Sequence, residues 1–347
     1  MADDRTVFPP EVFEEADVDL APLADRTVAV VGYGNQGHAH ALNLRDSGIE
    51  VLVGARPGGR GAAAARDAGF PVLAPAAAAA AADVVMLLLP DEVQQAVWER
   101  EVAPHLRPGA AVGFAHGFAV AFGLITPPPG VPCFLVAPKG QGHMLRRAYR
   151  AGGGLPSLLA VVPPADDATW RLAAAYAKAI GCLRGGGFTT TFREECVADQ
   201  FGEQAVLCGG LPELIVAAFE TLVARGYDER NAYFECVHEV KLIADLLHAE
   251  GIDGMRRLIS PTAAYGGLTR GPRLIDQEVR RRLVAILDEI ESGAFAREFL
   301  EDAASSKPRL EELRRREAAG QLAASGRRLR ERLAALGLHK DEEDDDA

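Results

Sequence analysis

Residues 27–48 read TVAVVGYGNQGHAHALNLRDSG, and no other stretch constrains the fold as tightly. Positions 28–31 are small and β-branched apolar residues, the pattern of a buried strand. They run into Gly32-Tyr33-Gly34-Asn35-Gln36-Gly37, then into a helical stretch that closes near Gly48. A second strand follows in EVLVGAR. GxGxxG alone is a weak signal. Between a strand and a helix, with another strand about twenty residues on, it is the fingerprint of a Rossmann-type dinucleotide-binding unit. Gly32 permits the tight turn, Gly34 lets the backbone approach a pyrophosphate, and Gly37 lets helix and strand pack closely. The helix N-terminus supplies free N–H donors and the positive end of a dipole.

The end of the second strand discriminates between cofactors. An acid there would hold a ribose 2′-hydroxyl. This chain instead has Gly54-Ala55-Arg56-Pro57-Gly58-Gly59-Arg60-Gly61. Two arginines and no acid suit a 2′-phosphate, so NADPH is expected, with NADH possible as the alternative. Further strands alternate with helical stretches. ADVVMLLLP leads into Asp91, Glu92, Val93 and Gln94 at a strand's carboxyl end, where ligands bind in such sheets. AAVGFAHGF delivers His116 in the same way, and VPCFLVAPKGQGH delivers Lys139 into a glycine-rich turn. LPSLLAVVP and AIGCLRGGGFTTTF read as the last strands of this half.

After about residue 190 the pattern turns helical. Leu211, Leu214, Ile215, Ala218, Phe219, Leu222 and Val223 follow i, i+3, i+4 spacing, and Gly226 closes that helix. The next begins near Asp228 and contains AYFECVHEVKLIADLL. Asp199 and Glu203 stand four apart at the head of the apolar run, and Glu235 and Glu239 repeat the spacing. Like charges one helical turn apart cost a few tenths of a kcal/mol. A solvated edge explains one such pair; two pairs amid apolar residues point to a divalent-cation site. Hard oxygen donors without convergent Cys or His suit Mg²⁺ or Mn²⁺ over Zn²⁺, and four carboxylates could hold two ions. His238 is not counted as a ligand, because each residue step turns a helix by about 100°. A nicotinamide unit joined to a magnesium site implies polarised oxygens on a small substrate, followed by hydride transfer.

Composition excludes other classes. The 347 residues are enough for two domains, with 48% hydrophobic and 25% charged residues, as in ordinary globular proteins. A net charge of -12 argues against nucleic-acid binding. Part of that charge lies in the terminal DEEDDDA, which reads as a solubilising tail. No apolar run is expected to approach the roughly 18 residues of a membrane span. The acidic start MADDRTVFPPEVFEE has no secretory signal pattern, and five cysteines form no CxxC pair. The expected location is cytoplasmic.

Taken together, GYGNQGHAHALNLRDSG, AHGF, APKGQGH, FGEQAVLCGG, AYFECVHEVKLI and GPRLID resemble the ketol-acid reductoisomerase (acetohydroxyacid isomeroreductase) family, in its short form. The similarity runs from about residue 13 to about 320, with the motifs in order at near-family spacing. The resemblance implies an α/β fold: an N-terminal Rossmann-type domain (1–190), an all-α, knotted C-terminal domain (191–336) and the acidic tail (337–347). It implies isomerisation of 2-acetolactate or 2-aceto-2-hydroxybutyrate by alkyl migration, then reduction by NADPH to a dihydroxy acid, a step of valine and isoleucine biosynthesis. It further implies two Mg²⁺ ions, with Asp199 bridging, Glu203 on one ion, and Glu235 and Glu239 on the other from the partner subunit of a homodimer or dimer-built oligomer. Ser260 falls where the family binds the substrate carboxylate, and His116 and Lys139 on its active-site histidine and lysine. Tyr33, Gly34, Asn35, Gln36, Arg56, Asp91, Glu92, Val93, Gln94 and Gly142 fall on cofactor contacts.

The chain also departs from the family pattern. Ala119 and Ala121 replace polar residues after AHGF, and Gly59 and Gly61 stand where the 2′-phosphate loop usually has serines. Gln141, Pro212 and Ala264 replace a proline, a threonine and a glutamate. A diverged copy acting on another 2-hydroxy-2-keto acid is therefore the alternative to the family's own reaction. A catalytically silent nucleotide-binding protein is the third reading, and its expected mark, a lost metal ligand, is missing from the sequence.

Overall fold

The computed structural model describes residues 9–335. The chain divides into two units between Ala198 and Asp199. The acidic tail expected at 337–347 lies outside the described residues.

In the first unit the strands are β1 (Val12–Phe13), β2 (Thr27–Val31), β3 (Glu50–Gly54), β4 (Val72–Leu73), β5 (Val84–Leu87), β6 (Ala111–Phe114), β7 (Cys133–Pro138), β8 (Ser157–Val161) and β9 (Gly187–Thr189). Its helices are α1 (Asn35–Asp46), α2 (Arg60–Asp67), α3 (Pro75–Ala81), α4 (Asp91–Val97), α5 (Phe118–Ala121), α6 (Gly142–Arg150), α7 (Asp167–Ala179) and α8 (Phe192–Gly202), the last running into the second unit. All nine strands form one sheet in the order β1-β9-β8-β7-β6-β5-β2-β3-β4. From β4 to β7 the pairs are parallel. β8 then runs antiparallel to β7, and β1 antiparallel to β9. The parallel part has the doubly wound order in which the chain first steps outward from β2 to β4, then returns to β5 on the other side of β2. Ligands bind in the crevice at that reversal, outside the carboxyl ends of the strands.

Successive side chains on a strand point to opposite faces, and the core divides accordingly. Val28 and Val30 of β2 pack with Val51, Val53, Val84 and Met86 against α1 and α7. Ala29 and Val31 pack with Leu52, Val85 and Leu87 against α3 on the other face. Burial on both faces explains why the strands read as continuous apolar runs rather than alternating ones.

The second unit is helical among its described residues: α9 (Gly210–Ala224), α10 (Glu229–Tyr233), α11 (Glu239–Leu258), α12 (Pro261–Leu274), α13 (Gln277–Glu291), α14 (Ala294–Ala304), α15 (Pro308–Ala318) and α16 (Gln321–Ala335). Gly226, with φ of 84°, closes α9 and Asp228 caps α10, as the sequence predicts. The apolar stripe of α9 does not become a core, however. Of its periodic residues only Phe219 is buried, and Leu211 and Leu214 are exposed. The expectation that no apolar run reaches membrane-span length needs correction as well. The helical stretch Phe192–Ala224 contains a window of mean hydropathy 1.7, of which 6% is buried. Pro212, Glu213 and Glu220 interrupt the run, so it is not one unbroken apolar segment. One such helix is weak evidence of a membrane, and it is equally the mark of a surface that another chain covers.

A second difference is local. Glu203–Leu207 and Phe234–His238 are single π-helical turns, each interrupting an otherwise α-helical stretch. Cys208 N–H donates to Glu203 O at 2.7 Å, and Glu239 N–H bonds to Phe234 O, five residues back in each case. Such π turns concentrate at functional sites. A third π turn, Trp98–Val102, lies in the first unit and holds none of the paired carboxylates; the two in the second unit each carry members of a carboxylate pair, Glu203 in the first, Glu235 in the second, with Glu239 immediately after.

Candidate active site

The turn after β2 has the shape a dinucleotide needs. Gly32 adopts φ of 103°, and a Cβ there would lie 2.5 Å from Leu88 O. A Cβ on Gly37 would lie 2.0 Å from Gly32 O, so the helix rests directly on the turn. A Cβ on Gly34 would meet nothing within 4 Å. Two glycines are thus required by the protein's own packing. The third faces open space, the cradle a pyrophosphate would occupy beside the N-terminus of α1. The residues fit the cofactor.

Around this turn, Arg56 and Arg60 are exposed beyond the end of β3. Asp91 and Glu92 form the first turn of α4 after β5, beside partly exposed Val93. Gln94 is buried, with its amide nitrogen donating to Leu89 O at 2.8 Å and Asp91 Oδ1 at 3.2 Å. Its side chain therefore braces the turn. Gly142, at the start of α6, donates its N–H to Asn35 Oδ1 at 2.7 Å, and Gln36 Nε2 donates to Gly140 O at 2.9 Å.

The next strand ends hold the polar centre. His116 follows β6 and Lys139 follows β7, as their positions in the sequence predict. They meet through a residue that sequence reading missed, Glu195 of α8. Lys139 Nζ donates to Glu195 Oε1 at 2.9 Å. The other oxygen, Oε2, accepts from Gly117 N–H at 2.8 Å and from His116 Nδ1 at 3.2 Å. The Glu195 side chain is 1% exposed, against 25% for His116 and 33% for Lys139. Burial pushes the Glu195 carboxyl up, but the hydrogen bond and charge of His116 and the ammonium of Lys139 outweigh it, so its pKa lies below the usual glutamate value.

Gly117 explains part of the AHGF motif. A Cβ there would lie 2.3 Å from Phe192 O, so the strand-end loop and α8 meet backbone to backbone. Phe192 packs edge-on to Phe114 at 6.0 Å, and Cys196 is fully buried one turn on. These contacts aim the Glu195 face of α8 at the strand ends. Because a carboxylate accepts at Nδ1, that nitrogen carries the proton and Nε2 is the ring's acceptor atom. The missed signal was the spacing itself: Glu195, Asp199 and Glu203 are each four apart, three carboxylates where only two were read. Ala119 is buried in the core beside β6, where a polar side chain would need a partner.

Asp199 follows Glu195 by one turn of α8 and is half-buried, while Glu203, Glu235 and Glu239 are exposed. Ser260 is the N-cap of α12, its hydroxyl accepting from Ala263 N–H at 3.2 Å. Asp199, Glu203, Glu235, Glu239 and Ser260 all belong to the second unit.

Comparison with known proteins decides the family. Residues 22–186 match the acetohydroxy acid isomeroreductase NADPH-binding domain, and residues 192–334 match the ketol-acid reductoisomerase C-terminal domain. The chain belongs to the ketol-acid reductoisomerase family. Among solved structures, it is similar to an NADH-preferring ketol-acid reductoisomerase from an uncultured archean, at 42% identity, covering 92% of this chain and 98% of that one, with a TM-score of 0.88. It is also similar in fold to a semialdehyde dehydrogenase NAD-binding protein from Cupriavidus necator, at 21% identity over 79% of this chain and 99% of that one, with a TM-score of 0.60. A 1-pyrroline-5-carboxylate reductase from Streptococcus pyogenes matches at 15% identity over 77% and 98%, with a TM-score of 0.52. The last two likenesses concern the fold alone. This family member is an oxidoreductase of branched-chain amino-acid biosynthesis using a nicotinamide cofactor, and no finding favours the diverged-substrate alternative.

Proposed function

We propose that the chain converts 2-acetolactate or 2-aceto-2-hydroxybutyrate to the 2,3-dihydroxy acid, with two Mg²⁺ ions and NADPH. The observation that carries this reading is the buried Glu195, which holds His116 and Lys139 together one helical turn before Asp199. Asp199, Glu203, Glu235 and Glu239 are the residues that would hold Mg²⁺, an all-oxygen donor set of the kind that ion prefers. Bound Mg²⁺ supplies Lewis-acid polarisation of the substrate's hydroxyl and carbonyl oxygens, and the nicotinamide supplies the hydride. Glu195 accepts from the Lys139 ammonium and fixes the His116 ring. The Lys139 ammonium, held in place by Glu195, would donate to a substrate oxygen. His116 Nε2 can hold or pass a proton. Ser260 would bind the substrate carboxylate from the head of α12.

For the cofactor, the turn Gly32, Tyr33, Gly34, Asn35, Gln36 and Gly37 would face the pyrophosphate with its backbone, the Gln36 side chain being turned to Gly140, and Asp91, Glu92, Val93, Gln94 and Gly142 would lie around it. Arg56 and Arg60 favour a 2′-phosphate. The NADH preference of the similar archaeal enzyme makes NADH the competing choice. Replacing both arginines with Ala should raise the KM for NADPH more than that for NADH; equal effects would refute the 2′-phosphate assignment.

A homodimer is the proposed assembly, in the cytoplasm. Between 199 and 335 the buried hydrophobic side chains are Phe219, Ala232, Ile290 and Ala296, whereas Leu207, Leu258 and Leu274 are 60–62% exposed. So few buried apolar side chains leave much of the apolar surface of this helical unit open to a covering partner. A second copy covering these faces would also bring Glu235 and Glu239 to its partner's Asp199 and Glu203.

A further inference from the structure

The structure ties the nucleotide turn to the lysine. Lys139 sits in a short loop, 139–141, between β7 and α6, and four hydrogen bonds hold that loop and the first residue of α6 from three sides. Its own N–H donates to Pro156 O at 2.8 Å, fixing the loop to β8. Its ammonium is held by Glu195. Beyond the lysine, both remaining polar anchors come from the first turn of α1: Gln36 Nε2 to Gly140 O at 2.9 Å, and Asn35 Oδ1 from Gly142 N–H at 2.7 Å. At Gly142 the approach to α1 is close enough to exclude a side chain. A Cβ on Gly142 would lie 1.7 Å from Asn35 O, and one on Gly140 would lie 2.7 Å from Leu155 Cδ1.

The resemblance assigns Gln36 to the cofactor, yet its amide nitrogen is committed to the loop. We propose that Gln36 is a positioning residue for Lys139, a strut through which the nucleotide turn sets the lysine loop and, through Glu195, the His116 ring. Binding of the dinucleotide to the turn then steadies the lysine that works on the substrate, without either group touching the other. The proposal rests on the reading of Lys139 as an active-site group. The neighbouring link through Asn35 is a backbone-to-side-chain bond at the far end of the loop. Gln36 bonds the carbonyl adjacent to Lys139 and so has the stronger hold on it.

The test uses the full-length protein and the volume-matched variant Gln36→Met, with Gln36→Glu as a second variant that keeps the shape but offers an acceptor to Gly140 O. Three quantities are read: NADPH affinity by fluorescence titration, kcat at saturating NADPH and Mg²⁺ with 2-acetolactate, and amide hydrogen exchange across 139–145 in the cofactor-free protein. A strut predicts NADPH affinity within about twofold, kcat lower by about tenfold, and exchange in 139–145 faster by about threefold or more in both variants. A tenfold loss of NADPH affinity with unchanged kcat and exchange would make Gln36 a cofactor contact and overturn the proposal. Unchanged exchange overturns it whatever the activity shows. Failure of the underlying functional reading looks different: Lys139→Met would keep full activity while the exchange result in the Gln36 variants still stood.

Discussion

Glu195 is a buried carboxylate between two cationic groups, and most of what the candidate centre can do depends on it. Glu195→Gln keeps the shape but removes the charge that orders Lys139 and His116. Steady-state kinetics should show kcat lower by roughly 10²-fold, and urea unfolding a loss of about 1–3 kcal/mol. Its depressed pKa gives the ion pair a defined pH window. The stabilisation is complete above the ordinary glutamate value of 4.5 and is lost as pH falls through the lower, folded-state value. His40 acts in the opposite range. It is fully buried on α1, bonded through Nδ1 to Tyr176 Oη at 2.9 Å, and burial, aided by the charge of His38, lowers its pKa to about 3. The unfolded chain therefore takes up this proton below about pH 6.5 while the folded chain does not. Stability should fall by ~1.4 kcal/mol per pH unit as pH drops from 6.5 toward 3. Between pH 5 and 6.5 Glu195 is not yet involved, so His40→Gln should flatten that part of the stability–pH curve; an unchanged slope there would contradict the assignment. His116 and Lys139 were legible in the sequence because each ends an apolar strand. Glu195 was not, because its partners lie 79 and 56 residues away and only the fold brings them together.

At the scale of elements, the strand–turn–helix at 27–46 was readable almost to the residue, because three glycines at fixed spacing have three separate steric reasons. Those reasons make distinct predictions. Gly37→Ala drives a methyl into Gly32 O and should cost about 1–3 kcal/mol in thermal or urea unfolding. Gly34→Ala meets open space, so stability should hold while dinucleotide affinity falls by about tenfold or more, or ~1.4 kcal/mol. If Gly34→Ala left affinity intact, the pyrophosphate would have to bind elsewhere. The π turns at Glu203–Leu207 and Phe234–His238 were not readable, since periodicity alone does not separate one widened turn from a regular helix. Glu203 opens the first turn, Glu235 lies within the second and Glu239 follows it, whereas Asp199 stands on regular helix, and Mn²⁺ binding probes this set more directly than activity does. Asp199→Ala should abolish Mn²⁺ binding followed by titration calorimetry or EPR; retained stoichiometry would remove Asp199 from the metal set.

For the whole molecule, the first unit closes its own core on both faces of the sheet, and the alternation of Val28, Ala29, Val30 and Val31 between the two faces displays this directly. The second does not. Its helices were legible from their i, i+3, i+4 stripes, but the sequence could not say that those stripes would stay uncovered within one chain. A stripe marks a face for burial and is silent on which chain buries it. Sedimentation should therefore give a particle of at least two 36.8 kDa chains, and Leu207→Asp should weaken or abolish it. A stable, fully folded monomer would contradict the shared-site proposal. The most direct test of the whole is the reaction itself. Purified protein given 2-acetolactate, Mg²⁺ and NADPH should oxidise the NADPH and form the 2,3-dihydroxy acid in equal amounts, with the rate abolished by EDTA and restored by Mg²⁺. No turnover of 2-acetolactate with either NADPH or NADH, alongside rapid turnover of a different 2-hydroxy-2-keto acid, would contradict it.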